Sequence, residues 1–333
     1  MYDLELDRVT SEIMERGAQK ILLQLPDGMR PFAFQLVEAI ERATYVTVLL
    51  SGDSCYGACD IALNQARELG VDLIVHYGHT EMVEVSEVPV IYVHARIDID
   101  VDRLVKAVLP VLKEYRAVGL TTTTQHAHQI TEIKEKLSEK EVIVVVGQGG
   151  GKTPLNGQIL GCSYVTTISI VKEVDAYLYV GGGKFHPIGI VMSTSKPVVT
   201  ANPFNEKVSL ISEEDLMGIA KKRMAAITMA KNAKVFGILV SSKPGQNKLD
   251  EAQRLEEKIK KQGKKAVIIY LDEIRAEHVN NYSEPEILVN TACPRIAIDG
   301  IEGINRPMIT VKEIEVALGI REWESLWGNS YLE

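Results

Sequence analysis

Three cysteines that lie far apart in the sequence have the most distinctive chemistry. Cys59, Cys162 and Cys293 occur in YGACD, LGCSY and TACPRI, each at or just after the end of a strand-like stretch, and about 100 residues or more separate them. Thiolates bind zinc and iron–sulfur clusters, and a cluster held by only three cysteines leaves one iron free for a substrate. No local motif joins these cysteines, so a shared centre requires the fold to bring them together.

A fourth cysteine, Cys55, lies shortly before Cys59. The two have the spacing of the first pair in the CxxxCxxC motif of the usual radical S-adenosylmethionine enzymes, but Ala62 occupies the third position, so that motif is absent. Cys59 directly precedes a predicted helix, whose free amides and positive dipole end lower the pKa of a thiol. We therefore predict that Cys59 is a ligand and Cys55 a spare thiol, although Cys55 or a histidine could complete a four-ligand zinc site.

Three further loops carry polar residues that could bind a small molecule. GGGKFHP follows a predicted strand and contains Gly183 and His186, where a ligand can approach the backbone closely. QLPDG contains Asp27 and Gly28, and SSKPGQN contains Gln246, in turns after the first strand of two similar segments. Ordinary turn chemistry, or a core histidine, explains each of these residues alone, and only their shared location favours a function.

The elements that must position these residues alternate between strands and helices, which predicts parallel β-sheets. The same order of elements recurs with a period of about 110 residues, so we predict three similar small α/β domains at 1–105, 106–208 and 209–333. The predicted strands cover 21–26, 45–50, 72–78, 88–95, 117–123, 141–147, 176–183, 234–242, 265–271 and 286–293.

This arrangement explains how distant cysteines could meet. Parallel α/β sheets bind their ligands at the carboxyl ends of the strands, and each of the three cysteines follows such an end. Three domains around a pseudo-threefold axis can therefore direct one thiolate each to a common centre. A single buried cysteine commonly acts as a small hydrophobic residue, but three at equivalent strand ends favour a shared site.

The composition excludes several classes of function. The chain has 333 residues, of which 46% are hydrophobic and 25% charged, and its net charge of −8 argues against sequence-independent nucleic-acid binding. The acidic amino terminus lacks the apolar segment of a signal peptide, and no apolar run is long enough to cross a membrane. With 4 cysteines there is no disulfide framework, so a reducing cytoplasm is the expected location. GQGGGKT misses the Walker spacing by one position, and we predict no ATP site there.

The motifs around the three cysteines, together with GGGKFHP, QLPDG and the turn before Gln246, resemble the archaeal enzymes of the first step of diphthamide biosynthesis. The resemblance covers essentially the whole chain. It implies three similar α/β domains assembled as a homodimer, with a 4Fe–4S cluster held by Cys59, Cys162 and Cys293. It also makes the five loop residues named above candidate contacts of S-adenosylmethionine, with His186 and Gln246 foremost.

The resemblance implies a particular reaction. The reduced cluster would cleave the bond between the sulfonium sulfur and the γ-carbon of S-adenosylmethionine, releasing methylthioadenosine. The remaining 3-amino-3-carboxypropyl radical would be transferred to the imidazole carbon between the ring nitrogens of one histidine of translation elongation factor 2. No reductase segment is visible in the sequence, so a separate protein is the expected electron donor.

Two other functions stay open. Quinolinate synthases also hold a three-cysteine 4Fe–4S cluster between three similar domains, so a dehydratase of that kind is the second candidate, although the YGACD and ACPRIAIDG contexts favour the transferase. The third candidate is a non-catalytic metal-binding or electron-transfer subunit, which would bind no S-adenosylmethionine.

Overall fold

Three separate sheets of mainly parallel strands organise the computed structural model, which describes residues 2–205, 207–211 and 213–326. In the first unit, a short antiparallel pair lies beside a four-stranded parallel sheet. Its strands are β1 (Tyr2–Asp3), β2 (Lys20–Gln24), β3 (Thr47–Leu50), β4 (Leu73–Tyr77), β5 (Val90–Val93) and β6 (Arg96–Ile97), and its helices are α1 (Leu6–Glu15), α2 (Ala33–Thr44) and α3 (Leu63–Leu69).

The second unit adds an antiparallel edge strand to a parallel sheet of the same kind. Its strands are β7 (Ala117–Thr122), β8 (Ile143–Val145), β9 (Ala176–Val180), β10 (Val198–Ala201) and β11 (Val208–Ile211), and its helices are α4 (Val101–Leu112), α5 (Ile130–Ser138), α6 (Val165–Ile168) and α7 (Phe185–Thr194).

The third unit has a four-stranded parallel sheet and most of the remaining helices. Its strands are β12 (Val235–Ser241), β13 (Lys265–Leu271), β14 (Ile287–Asn290) and β15 (Met308–Thr310), and its helices are α8 (Glu213–Asn232), α9 (Leu249–Lys261), α10 (Ala276–Val279), α11 (Pro294–Asp299) and α12 (Val311–Ala317). Short 3₁₀ helices cover Asp27–Phe32, Thr124–Gln129 and Trp323–Leu326.

All three sheets share one strand order. Counting only the parallel strands of each sheet in chain order, the first lies between the second and the third, and the fourth lies outside the third: β3-β2-β4-β5, β8-β7-β9-β10 and β13-β12-β14-β15. The predicted fold class, three similar small α/β domains with parallel sheets around a pseudo-threefold axis, is confirmed. Because helices cover both faces of such sheets, the central strands are buried on both sides, and every residue of β4 and β9 is buried.

The exact domain boundaries remain a proposal, and packing suggests small changes to them. The predicted boundary after 105 falls within α4, whose apolar face packs in the core of the second sheet. The predicted boundary after 208 falls within β11, which pairs with β10. We therefore propose limits near 100 and 212, so that each unit keeps its own packed elements.

The strand registers align the loops that leave each sheet. In the third sheet Leu239 of β12 pairs with Asn290 of β14, and in the second Thr122 of β7 pairs with Val180 of β9. Parallel strands in register end at the same edge, so the loops that follow them lie side by side. Among the described residues, no helix combines the length and apolarity needed to cross a bilayer.

Candidate metal centre

A cavity of about 710 Å³ lies where loops from the three sheets meet, and Cys59, Cys162 and Cys293 all line it. Cys59 lies in the loop after β3, Cys162 in the loop after β8, and Cys293 between β14 and α11. Because these loops leave the carboxyl ends of parallel strands, the repeated topology brings one thiol from each unit to the same place. The volume is that of a small-molecule site, which typically measures about 300–1,000 Å³.

The same three cysteines also line a second cavity of about 300 Å³, together with Lys152 and Lys248. None of them forms a disulfide. Burial raises the pKa of Cys162, and the positive charge of nearby Lys152 opposes that rise. The thiols therefore border two spaces, the larger one enclosed by loops of all three units and the smaller one flanked by lysines.

The loop after β12 closes directly over Cys59. The backbone N–H of Gly245 donates to the carbonyl oxygen of Cys59 at 2.8 Å, and Nε2 of Gln246 donates to its Sγ at 3.4 Å. A Cβ atom at position 245 would lie 2.6 Å from both Cα and Cβ of Cys59, so only glycine allows this approach. Gln246, predicted as a site residue, thus lies in the cavity lining and contacts a cysteine sulfur.

The predicted reason for preferring Cys59 over Cys55 is wrong. Helix α3 begins only at Leu63, and burial raises the pKa of the Cys59 thiol to about 12. Burial likewise raises the pKa of Cys55 to about 12, so acidity does not distinguish the two. Their positions distinguish them, because Cys59 lines both cavities whereas Cys55 lines neither.

The helix-start effect expected at Cys59 occurs instead at Cys293. Cys293 is the N-cap of α11, and Pro294 occupies the first helical position. Burial raises the pKa of the Cys293 thiol, and the charge of Cys162 adds to this, while the nearby backbone amides of Arg295 and Ile296 lower it. The N-cap side chain accepts no capping hydrogen bond, so these amides favour the thiolate through their dipoles.

An ion pair buried beside the cavity joins the first unit to the third. Nζ of Lys243 lies 2.6 Å from both carboxylate oxygens of Asp60, and the two side chains are only 11% and 8% exposed. Burial raises the pKa of Asp60, and the hydrogen bond from Lys243 opposes that rise. Tyr56 adds a second link by donating to Oε1 of Glu273 at 2.6 Å. These contacts hold the Cys59 loop against the third unit.

His186 and Arg295 lie on the side of the cavity formed by the second and third units. Burial lowers the pKa of His186 to about 4, and the charge of Arg295 contributes, so this imidazole is neutral at neutral pH. Its Nδ1 is 3.3 Å from the hydroxyl of Tyr179. Arg295 is itself buried, donates to the carbonyl of Phe185 at 2.8 Å and stacks 4.0 Å from the centre of that ring.

Three of the residues predicted to contact S-adenosylmethionine line neither cavity. Asp27 and Gly28 lie in the exposed 3₁₀ helix after β2, where Asp27 pairs with Arg30 at 3.1 Å and its side chain is 70% exposed. Gly183 is exposed with a positive φ of 74°, and it allows the turn that leads into α7. The glycine-rich loop thus delivers His186 to the cavity, while Gly183 itself stays outside.

Lys243, Asp60 and Arg295 were not predicted as site residues, although each neighbours a residue that was. Lys243 lies in the same turn as Gln246, and Arg295 directly follows the Cys293–Pro294 pair. Charged side chains are mostly exposed, so their burial here depends on partners from distant loops that the sequence does not reveal.

Comparison with known proteins places these features in a family. A family model described as putative diphthamide synthesis protein matches residues 25–328. A 2-(3-amino-3-carboxypropyl)histidine synthase of Pyrococcus horikoshii is 35% identical over 97% of this chain and 92% of its own length. Subunit 1 of the human enzyme of that name is 30% identical over 97% of this chain and 73% of its own length.

A solved structure agrees with the sequence relatives. The crystal structure of Dph2 from Pyrococcus horikoshii with a 4Fe–4S cluster matches with a TM-score of 0.88 at 34% identity, covering 97% of this chain and 93% of that one. The region matched by the family model includes the second and third sheets, the first sheet from β3 onward, and the loops that carry Cys59, Cys162 and Cys293. The resemblance seen in the sequence motifs is thereby confirmed, and the chain belongs to the diphthamide synthesis protein family.

Proposed function

We propose that this chain transfers the 3-amino-3-carboxypropyl group of S-adenosylmethionine to a histidine of translation elongation factor 2. The observation that carries the proposal is that three free cysteines, one from each sheet, line a single cavity. The relatives named 2-(3-amino-3-carboxypropyl)histidine synthase support the reaction, since they match nearly the whole chain.

Cys59, Cys162 and Cys293 are the residues that would hold a 4Fe–4S cluster, the kind of cluster present in the related Dph2 crystal structure. The three cysteine thiols are suited to hold such a cluster. After burial and the hydrogen bond from Gln246, the largest influences on the pKa of Cys59 are the charges of Cys162 and Cys293, which raise it because like charges repel. Bound cationic iron would remove this repulsion and stabilise all three thiolates.

When reduced, the cluster would supply the electron that cleaves the sulfur–γ-carbon bond of S-adenosylmethionine. The chain's own residues prepare the surroundings. Gln246 donates to the sulfur of Cys59, and hydrogen bonds to ligand sulfurs adjust cluster potential. His186 is neutral, so it can lie near a positively charged sulfonium without repelling it. The buried Lys243–Asp60 pair holds the loop of one ligand cysteine in place.

Several parts of the proposal rest on family resemblance. Elongation factor 2 as the protein substrate, a separate electron donor, a homodimeric assembly and a cytoplasmic location all remain predictions.

The smaller cavity, flanked by Lys152 and Lys248, gives the cysteines a second open side besides the one that would take S-adenosylmethionine.

The proposal is tested by anaerobic reconstitution of the chain with iron and sulfide. The reconstituted protein is incubated with dithionite, S-adenosylmethionine and purified elongation factor 2, and methylthioadenosine and the mass of the factor are measured. We expect methylthioadenosine together with one 3-amino-3-carboxypropyl group on one histidine. Replacement of Cys59, Cys162 or Cys293 by alanine should abolish both products, whereas Cys55→Ala should retain them.

Neither alternative forms methylthioadenosine in this assay. A quinolinate-synthase-like dehydratase would bind the cluster but form no methylthioadenosine, which would overturn the proposed transfer. A non-catalytic metal-binding subunit would bind no S-adenosylmethionine at all. If cysteine replacements leave iron content unchanged, the proposed ligand set is wrong.

A further inference from the structure

A second group of metal-ligand side chains lies close to the three cavity cysteines but shares no residue with them. Cys55 lies in the loop after β3, and His76 and His79 lie in and just after the end of β4. One donor atom from each of the three lies within 4.8 Å of the other two. We propose that Cys55, His76 and His79 form a zinc site whose ligands are distinct from the proposed cluster ligands, with His79 also lining the larger cavity.

The geometry of the three donors is close to what zinc requires. Nε2 of His76 and Nδ1 of His79 are 2.9 Å apart. Zinc bonds of about 2.0–2.1 Å to nitrogen and 2.3 Å to sulfur place tetrahedral ligand atoms roughly 3.3–3.6 Å apart. The two imidazoles therefore need to separate by a few tenths of an ångström, and Sγ of Cys55 needs to approach them by at most about 1 Å.

A fixed hydrogen-bond partner holds His76 in the orientation of a metal ligand. Oε1 of Gln24 lies 2.9 Å from Nδ1 of His76 and also accepts from the backbone N–H of Ala62, while Nε2 of Gln24 donates to the carbonyl of Asp60 at 2.6 Å. These contacts fix which end of the amide faces the histidine. Nδ1 of His76 must then carry the proton, which leaves the lone pair of Nε2 directed at the group. Metal-binding histidines commonly have such a partner on the other nitrogen.

The charge state of the group also suits zinc. Burial lowers the pKa of His76 and lowers that of His79 to about 4, so both imidazoles are neutral ligands at neutral pH. The Cys55 thiol is protonated without metal, because burial raises its pKa to about 12. Zinc binding would release that proton to solvent, and it would require His79 to carry its proton on Nε2 in place of Nδ1, which without metal donates to Nε2 of His76. No electron is transferred. Neutral imidazoles with one thiolate are the ligands that zinc prefers, and water can occupy the fourth position.

A metal at this point would stiffen the loop that carries Cys59. No helix or strand covers the segment between β3 and α3, which contains both Cys55 and Cys59. His76 belongs to a fully buried strand, and His79 follows its end by two residues. A zinc ion would therefore tie a loop without regular structure to the rigid sheet, four residues before the proposed cluster ligand.

The test uses the full-length chain after iron loading, so that the three cavity cysteines are occupied. The chain is incubated with excess Zn²⁺, desalted, and analysed for zinc and iron. We expect about one zinc per chain in the wild type and in the His126→Ala control, which removes a buried histidine outside the group. Cys55→Ser and His79→Ala should each lower the retained zinc at least about tenfold and leave iron unchanged.

Cobalt gives a direct readout of the ligands. Co²⁺ bound to the variant lacking the three cavity cysteines should show a thiolate-to-cobalt charge-transfer absorption, which the additional Cys55→Ser change removes. This cobalt experiment tests the zinc site even if the three cavity cysteines do not bind iron. No zinc in the iron-loaded wild type, unchanged zinc in Cys55→Ser, or loss of iron along with zinc in Cys55→Ser would each overturn the site. The last result would instead assign Cys55 to the iron centre.

Discussion

The contact between Gly245 and Cys59 predicts a strong effect from a single methyl group. In Gly245→Ala the new Cβ would lie 2.6 Å from Cα and Cβ of Cys59 and 2.9 Å from Cγ2 of Val83. Backbone atoms of Cys59 cannot move aside as a flexible side chain would. The loop after β12 must therefore withdraw, which also breaks the 2.8 Å hydrogen bond from the Gly245 amide to Cys59.

The size of the effect follows from these two losses. Overpacking a close contact costs about 1–3 kcal/mol, and loss of one hydrogen bond costs about 0.5–1.5 kcal/mol. Together they weaken closure of the loop over Cys59 by about 2–4 kcal/mol, which corresponds to roughly 30- to 1,000-fold in the equilibrium between closed and open loops.

Hydrogen–deuterium exchange of the peptides that contain Cys59 and Gly245 measures this opening directly, and iron content after anaerobic reconstitution measures its consequence. We expect faster exchange in both peptides and less retained iron in Gly245→Ala. Gly52→Ala is the matched control, because Gly52 lies in the same loop as Cys59 with no atom within 4 Å of an added Cβ and no positive φ.

Equal exchange and equal iron content in Gly245→Ala and Gly52→Ala would refute this prediction. That result would mean that the loop after β12 does not need its close approach to Cys59. Faster exchange with unchanged iron would show that the contact is real but does not support the cysteine as a ligand.

Three further predictions concern residues in or near the cavity lined by the three cysteines. Lys243→Met leaves the Asp60 carboxylate buried without its partner and should lower the free energy of unfolding by about 3–5 kcal/mol. Chemical denaturation measures this loss, and the double variant that also carries Asp60→Asn should recover much of it. Folding lowers the pKa of His186 from 6.5 to about 4, so the contribution of its neutral form to stability is fully present above pH 6.5. Up to about 3 kcal/mol of the free energy of unfolding is lost as the pH falls to 4. His186→Gln should flatten the pH dependence of the free energy of unfolding in this range. Asp27→Asn should leave methylthioadenosine formation unchanged, because Asp27 is exposed and lies outside the cavity; a large loss of product would return it to the site.

The sequence was sufficient to predict the fold class and to select the three cysteines that line one cavity. Apolar runs such as LIVHY and AYLYV, separated by helical patterns, predicted parallel strands, and the repeated order predicted three similar sheets. Hydrophobic pattern and turn residues act locally, so they can be read along the chain. The position of each cysteine after a strand then pointed to one edge of each sheet.

The close surroundings of the thiols could not be predicted in this way. The expected helix start assigned amide support to Cys59, but the structure gives it to Cys293, because the first turn of α11 begins directly at that residue while α3 begins later. Asp27 and Gly28 lie at a strand end and still miss the cavity, since their loop forms an exposed 3₁₀ helix.

The sequence alone predicted the repeat, the loops that contain the thiols and polar residues, and all strands except β1, β6, β10, β11 and β15, since these features depend on backbone preferences and apolar spacing over a few residues. Only the tertiary structure decided that Gly245 lies against Cys59, that Lys243 pairs with Asp60, and that Cys55 meets two histidines. Such contacts join residues from different loops and units, and the burial that shifts their pKa values exists only once the sheets have packed together.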